Sequence, residues 1–265
     1  MSTGWDCHAH VFGPYAAFPL AGARSYTPPE APLDAYLALL QRLDLARGVL
    51  VHASAYGPDH ALLLHVLEAA PHLRGVMVVR AEEQRDLSGL RARGVRGLRF
   101  SHRSGAGNFA GSAGLDDLVA LAPAMADAGL HAELWTDTAV LPGIDATLRA
   151  LPVTVVIDHM GGFEVEAGID APGFATLRAL LDDGHAWIKL CAYRNLPGTE
   201  IARGQPFHQV LLDTNPAQLL WGSDWPHLRV DPAPDAADLL ALFRDWTPDA
   251  LAQRILVDNP AALYD

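Results

Sequence analysis

The chain is short of positive charge, of cysteine and of long apolar runs. Nineteen Lys and Arg residues stand against 31 Asp and Glu, a formal net charge of -12, which argues against nucleic acid or an anionic membrane as the main partner, since both select basic surfaces. An acidic protein can still hold a local basic pocket. Only two cysteines occur, Cys7 and Cys191; no disulfide framework is expected, and both read as buried thiols packed under helices. No uncharged run approaches the roughly 20 residues needed to span a bilayer, and no cationic stretch followed by an apolar one opens the sequence, so the expectation is a cytoplasmic protein. There is also no glycine-rich phosphate turn after the first strand, where the chain reads "HVFGPYAAF"; a doubly wound nucleotide-binding sheet usually announces itself there.

What is present is alternation. Eight short apolar runs read as strands: 5–12, 48–54, 74–79, 95–102, 131–137, 153–160, 186–193 and 219–225. Between them lie stretches of helical period, such as 32–45 with its proline start, 59–70, 116–129, and 173–184 closed by a glycine. Half of the residues are apolar, enough for a large core, and eight strand-helix units in about 250 residues match a closed parallel barrel. With no linker or low-complexity tract, the expected architecture is a single α/β domain over residues 1–265, a (β/α)8 TIM barrel. The tail "TPDALAQRILVDNPAALYD" reads as a closing helix and a short cap. The long irregular connections, 13–32 and 103–114, are candidate walls or lids, because long loops in a compact domain are usually functional.

Polar residues gather at the C-terminal strand ends, the face where such barrels carry their chemistry. Period-two alternation puts Asp6, His8 and His10 on one face of strand 1, with Cys7 opposite. It places His159 atop an inward column of Val153, Val155 and Ile157 in strand 6. Asp224 falls at the rim of strand 8 after Leu220 and Gly222, Arg194 beyond Ile188, Leu190 and Ala192 in strand 7, and Arg99 after Val95 and Gly97 in strand 4. Each has an ordinary structural reading: a core histidine, a turn-forming aspartate before Trp-Pro, an arginine serving surface carboxylates. Their convergence on one rim favours a site.

The inward His-x-His of strand 1, the histidine of "IDHMGG" and the aspartate of "GSDWPH" resemble the amidohydrolase superfamily. Within it, "DCHAHVFGP", "RSYTP", "GLRF", "DHMGG" and "WGSDWPH" are similar to the branch of pyrone-dicarboxylate and sugar-lactone hydrolases, over nearly the whole chain. The resemblance implies hydrolysis of a lactone, and the residues suit it. Asp224 can accept a proton from water, and His8, His10 and His159 can polarise the carbonyl directly or, with Asp224, hold one divalent ion such as zinc. The resemblance implies that no metal is required, and strand 5 offers no bridging lysine. A metal-dependent decarboxylase or a lactone isomerase would use the same strand ends.

Arg99, Arg103 and Arg194, with Arg24 as a further candidate, suit a small anionic substrate held by planar guanidinium forks. The resemblance makes Tyr26 a substrate contact, and His52 and Ser54 at the end of strand 2 can add hydrogen bonds. Two departures stand out. Trp135 occupies a position where the branch has a tyrosine, and the glycines after His159 replace an expected arginine. Glu133 faces inward on strand 5, free to pair with an arginine or act on substrate. The sequence is compatible with a homo-oligomer.

Overall fold

The computed structural model describes residues 3–104, 111–196 and 198–265. Eight strands form one parallel sheet in chain order: β1 (Trp5–Ala9), β2 (Arg47–Val51), β3 (Leu73–Met77), β4 (Val95–His102), β5 (His131–Thr136), β6 (Val155–Ile157), β7 (Ala186–Leu190) and β8 (Leu219–Trp221). The sheet closes where the chain after β8 meets β1. Ala9 bridges Trp225, the His10 N–H donates to the Trp225 carbonyl at 2.8 Å, and the Asp224 N–H donates to the His8 carbonyl at 2.7 Å. Parallel neighbours need crossovers, and helices supply them, among them α1 (Leu33–Arg42), α2 (Ala61–Ala69), α3 (Leu115–Asp127), α4 (Leu141–Ala150), α5 (Pro172–Asp182), α6 (Gln205–Thr214) and α7 (Ala236–Trp246). The expected barrel is therefore present, with each strand where the apolar runs put it. No helix among the described residues is long and apolar enough to cross a membrane.

The inner and outer faces differ from simple alternation in three strands. A register shift between Asp6 and Ala9 breaks the period of β1. Asp6 consequently faces outward to the Tyr36 hydroxyl of α1, whereas Cys7 lies inside the barrel with Trp5, Val49, Val51, Val76, Val156 and Leu220. The reading of Cys7 as a thiol under helices is thus corrected; His8 and His10 still share the interior because the bulge adds one residue. In β6, Val155 and Ile157 pack outward and Val156 inward. In β7, Ile188 and Leu190 pack outward as well, so the inward residue is Lys189.

The opposite end of the barrel is closed by the chain's last segment. After α8 (Asp249–Gln253), a π-helical turn (Arg254–Asp258) and α9 (Asn259–Tyr264), the Tyr264 ring enters the barrel. It stacks on Trp5 at 5.8 Å and meets His131 edge-on at 5.5 Å. Arg47 and Arg74 pair with the Asp265 carboxylate just outside.

One close approach between β1 and the end of β8 needs a residue without a side chain. A Cβ at Gly222 would sit 2.6 Å from the His8 Cβ and 2.9 Å from its backbone nitrogen. Gly222→Ala is expected to cost about 1–3 kcal/mol, the usual penalty of overpacking, read as a lower urea midpoint. An unchanged midpoint would show that the two strands separate freely.

Candidate active site

The site is organised around Asp224. Just before it, the buried Asp6 carboxylate accepts the Ser223 N–H at 2.8 Å and the Ser223 hydroxyl at 2.7 Å, which pins the end of β8 to β1. Burial pushes the Asp6 carboxyl up to about 6. The chain then turns through left-handed backbone at Asp224, φ 56°, a strained conformation for a residue other than glycine and one that recurs at functional positions. Asp224 Oδ2 accepts the Tyr193 hydroxyl at 2.7 Å, Arg194 Nε at 2.7 Å and a second Arg194 nitrogen. Burial alone would raise this carboxyl, but Arg194, His159 and His10 hold it well below the usual range.

Asp224 Oδ1 faces imidazoles, at 3.4 Å from His10 Nε2 and 3.6 Å from His8 Nε2, while His159 Nε2 is 3.5 Å from Oδ2. His159 arrives by an unforeseen route. It follows β6 in left-handed backbone, φ 50°, as does Met160 at 53°, so the inward column of β6 is continued by Asp158 and His159 is swung in beside it. The glycines that follow serve this turn: Gly162 has φ 57°, and a Cβ there would lie 2.7 Å from the Thr136 carbonyl. Nothing larger fits, which accounts for the absence of the expected arginine.

The histidines differ in what they offer. His10 Nδ1 is 2.8 Å from the Val51 carbonyl, an oxygen that can only accept, so Nδ1 carries a proton. Burial lowers the basicity of His8 and His159 and keeps both rings neutral.

Beneath the histidines lies a charged floor. Lys189 pairs with Glu133 at 2.5 Å and Asp158 at 3.4 Å, and Arg99 reaches the other oxygen of Asp158 at 3.0 Å. Burial, then the Asp158 charge, push the Glu133 carboxyl up to about 7. Glu133 was foreseen as inward; Asp158 and Lys189 were missed. The signal for Lys189 was available, since it is the chain's only lysine.

Above the floor opens a cavity of about 760 Å³ including its mouth. His10, Tyr26, His52, Ser54, Arg99, Trp135, His159, Arg194 and Asp224 all line it, joined by Arg229; neither Arg229 nor Tyr193, which touches the site through Asp224, was foreseen. His8 sits just below, fully buried. Tyr26 reaches Ser54 from the first long loop. His52 bonds the Gly57 carbonyl at 2.9 Å, and burial lowers it to about 3. Arg103 stacks over Trp135 at 4.7 Å and approaches Asp137 at 3.8 Å, outside the lining. Arg24 bonds Thr27 and the Ala21 carbonyl within its own loop. Of the second long connection, residues 105–110 lie outside the described residues.

A divalent ion can be tested against these donors. Ligand atoms of His8, His159 and Asp224 lie within 4.8 Å of one another, as do those of His8, Glu133 and Asp158, so the spacing suits one ion. The charge does not. Asp224, Asp158 and Glu133 are already matched by Arg194, Arg99 and Lys189, so each of these cations sits on a would-be ligand. An added double positive charge would face them across a site with little water to screen it.

Known proteins resemble the chain over nearly its whole length. The amidohydrolase family model matches residues 5–265. A 4-sulfomuconolactone hydrolase of Rhizobium radiobacter is 38% identical, covering 98% of this chain and 89% of its own. A 2-pyrone-4,6-dicarboxylate hydrolase of Comamonas testosteroni is 34% identical with the same coverage. Among solved structures, a Pseudomonas putida protein assigned as a 2-pyrone-4,6-dicarboxylic acid hydrolase superposes with a TM-score of 0.85 at 32% identity, covering 100% of this chain and 98% of that one.

The burial of the imidazoles yields a titration expectation. In an NMR titration His8 and His159 will show midpoints below the ordinary 6.5 and His52 one near 3. A midpoint above 6.5 for His8 or His159 would mean that Asp224 and Asp158 outweigh burial.

Proposed function

The chain belongs to the amidohydrolase family, and from that premise we propose that it opens a small carboxylate-bearing lactone by attack of water. The candidates are rings of the 2-pyrone-4,6-dicarboxylate, muconolactone or aldarolactone kind. The observation that carries the reading is an ionised carboxylate, Asp224, whose Oδ1 faces the histidines in a cavity walled by Arg99, Arg194 and Arg229. The names of the relatives, hydrolases of a sulfomuconolactone and of a pyrone dicarboxylate, support the same reaction class.

In this reading Asp224 Oδ1, with His10 Nε2 beside it, takes a proton as the water oxygen bonds to the lactone carbonyl carbon. Charge develops on the carbonyl oxygen, where His8 and His159 donate. Collapse of the tetrahedral species breaks the ring C–O bond, and the departing oxygen takes the proton back from Asp224. Arg194 has two parts. Without substrate it grips Asp224 and makes it a weak base; a substrate carboxylate drawn to the same guanidinium loosens that grip and raises the carboxylate's proton affinity when a ring is present. Arg99 and Arg229 hold further negative charge, and Tyr26, His52, Ser54 and Trp135 shape the ring site, with Arg103 at its edge. The reading requires no metal, because the three cations already fill that electrostatic role. The net charge of -12 supports a small-molecule partner rather than nucleic acid.

The test is a screen of carboxylated lactones, followed by ring opening in the ultraviolet, before and after chelator treatment. Turnover that survives chelation is expected; turnover lost with chelator and restored by zinc would overturn the metal-free reading. Asp224→Asn should leave the fold intact and lower kcat by about 10²–10⁴-fold, the range for removing a general base; near-normal turnover would remove Asp224 from that role. Arg194→Met should raise KM for a carboxylated lactone, and an unchanged KM would end the anion-pocket argument.

A further inference from the structure

Lys189 has no exposed surface, and none of the steps above uses it. An ammonium has three protons and no lone pair, so each of its polar contacts is a donation. Three acceptors surround this one: Glu133 Oε2 at 2.5 Å, His8 Nδ1 at 3.1 Å and Asp158 Oδ1 at 3.4 Å. A neutral amine would leave buried Glu133 without a counter-charge and Asp158 with Arg99 alone, so the lysine stays charged. The nitrogen of His8 that receives its proton therefore carries none of its own. Asp158 Oδ1 is equally near that nitrogen, 3.1 Å, but lies off the line an N–H donor there would need. In a neutral imidazole the proton is then on Nε2, the atom turned to the cavity, buried and without a hydrogen-bond partner among the described residues.

We propose that Lys189 is a positioning residue that fixes His8 in the tautomer with its proton on Nε2. Lys189 occupies the Nδ1 lone pair of His8 and leaves Nε2 as a donor for the carbonyl oxygen. The consequence for rate rests on the lactonase reading, whereas the tautomer does not. A ring protonated on Nε2 has no lone pair there for a metal, in keeping with the charge balance of the site.

The experiment is long-range 1H–15N correlation spectroscopy of the full chain, with the His8 ring assigned through His8→Gln, in the wild type and in Lys189→Met and Lys189→Arg. In the wild type, His8 is expected to show a bare Nδ1 and a protonated Nε2. In Lys189→Met the proton should move to Nδ1, toward Asp158. There kcat should fall about 10–100-fold, as when a group orienting a site residue is lost, with KM little changed. Lys189→Arg, which keeps a cationic donor, should retain the wild-type tautomer and recover part of kcat. A wild-type His8 protonated on Nδ1, or a tautomer unchanged in Lys189→Met, overturns the proposal. Should Lys189→Met not fold, the wild-type spectrum still decides. Failure of the lactonase reading has a different signature: no lactone turns over while the His8 tautomer stands.

Discussion

A charged lysine with no water around it must be answered by the protein, and the upper half of this barrel is arranged to do so. Glu133 from β5, Asp158 beyond β6 and His8 from β1 converge on the Lys189 ammonium. Removing Lys189 would leave Glu133 as a buried charge without a partner, an outcome usually costlier than never having built the pair. The network joins four separate segments and determines where the His8 ring stands. The residues that face the cavity inherit their directions from it: Asp158 also anchors Arg99, and His8 sets the height at which Asp224 is met.

The second organising contact is the clamp of Asp6 on Ser223. It fixes the one junction of the sheet that lacks a full strand pair, where β8 is only three residues long. Beyond the clamp the backbone departs from β geometry at Asp224 and again at His227, φ 62°. Regular structure holds the site up to its edge, and left-handed residues then re-aim the side chains that matter.

Much of this was legible in the sequence. The eight strands stand out because a parallel strand buried on both sides reads as a short continuous apolar run. That property also hides which face is inward. In "AWIKL" either the Trp187 and Lys189 pair or the Ile188 and Leu190 pair could face the barrel axis, and apolar character misleads because here the axis carries the charge. For β6 the error cancelled: Ile157 was taken as inward and His159 with it, and His159 is inside only because its backbone turns left-handed. Arg99 was found because strand ends are where such barrels place their working residues, whereas Tyr26 and Trp135 were singled out by the family resemblance. Tyr193 and Arg229 were missed because a side chain delivered by a turn follows no period. The part played by His10 depends on a carbonyl 41 residues away, which spacing cannot show.

The plug at the far end of the barrel bears on how the molecule is made. Tyr264 packs on Trp5, and Arg47 pairs with Asp265, so the first strands find their lasting partners in the last residues. Contacts this distant in sequence close loops nearly as long as the chain and slow folding. During synthesis, which proceeds from the N-terminus at about 5–20 residues per second, β1 and β2 lack both the floor beneath them and the strand that completes the ring. The enzyme's acidic surface is then also an asset to the nascent chain, since like charges discourage two unfinished barrels from completing each other.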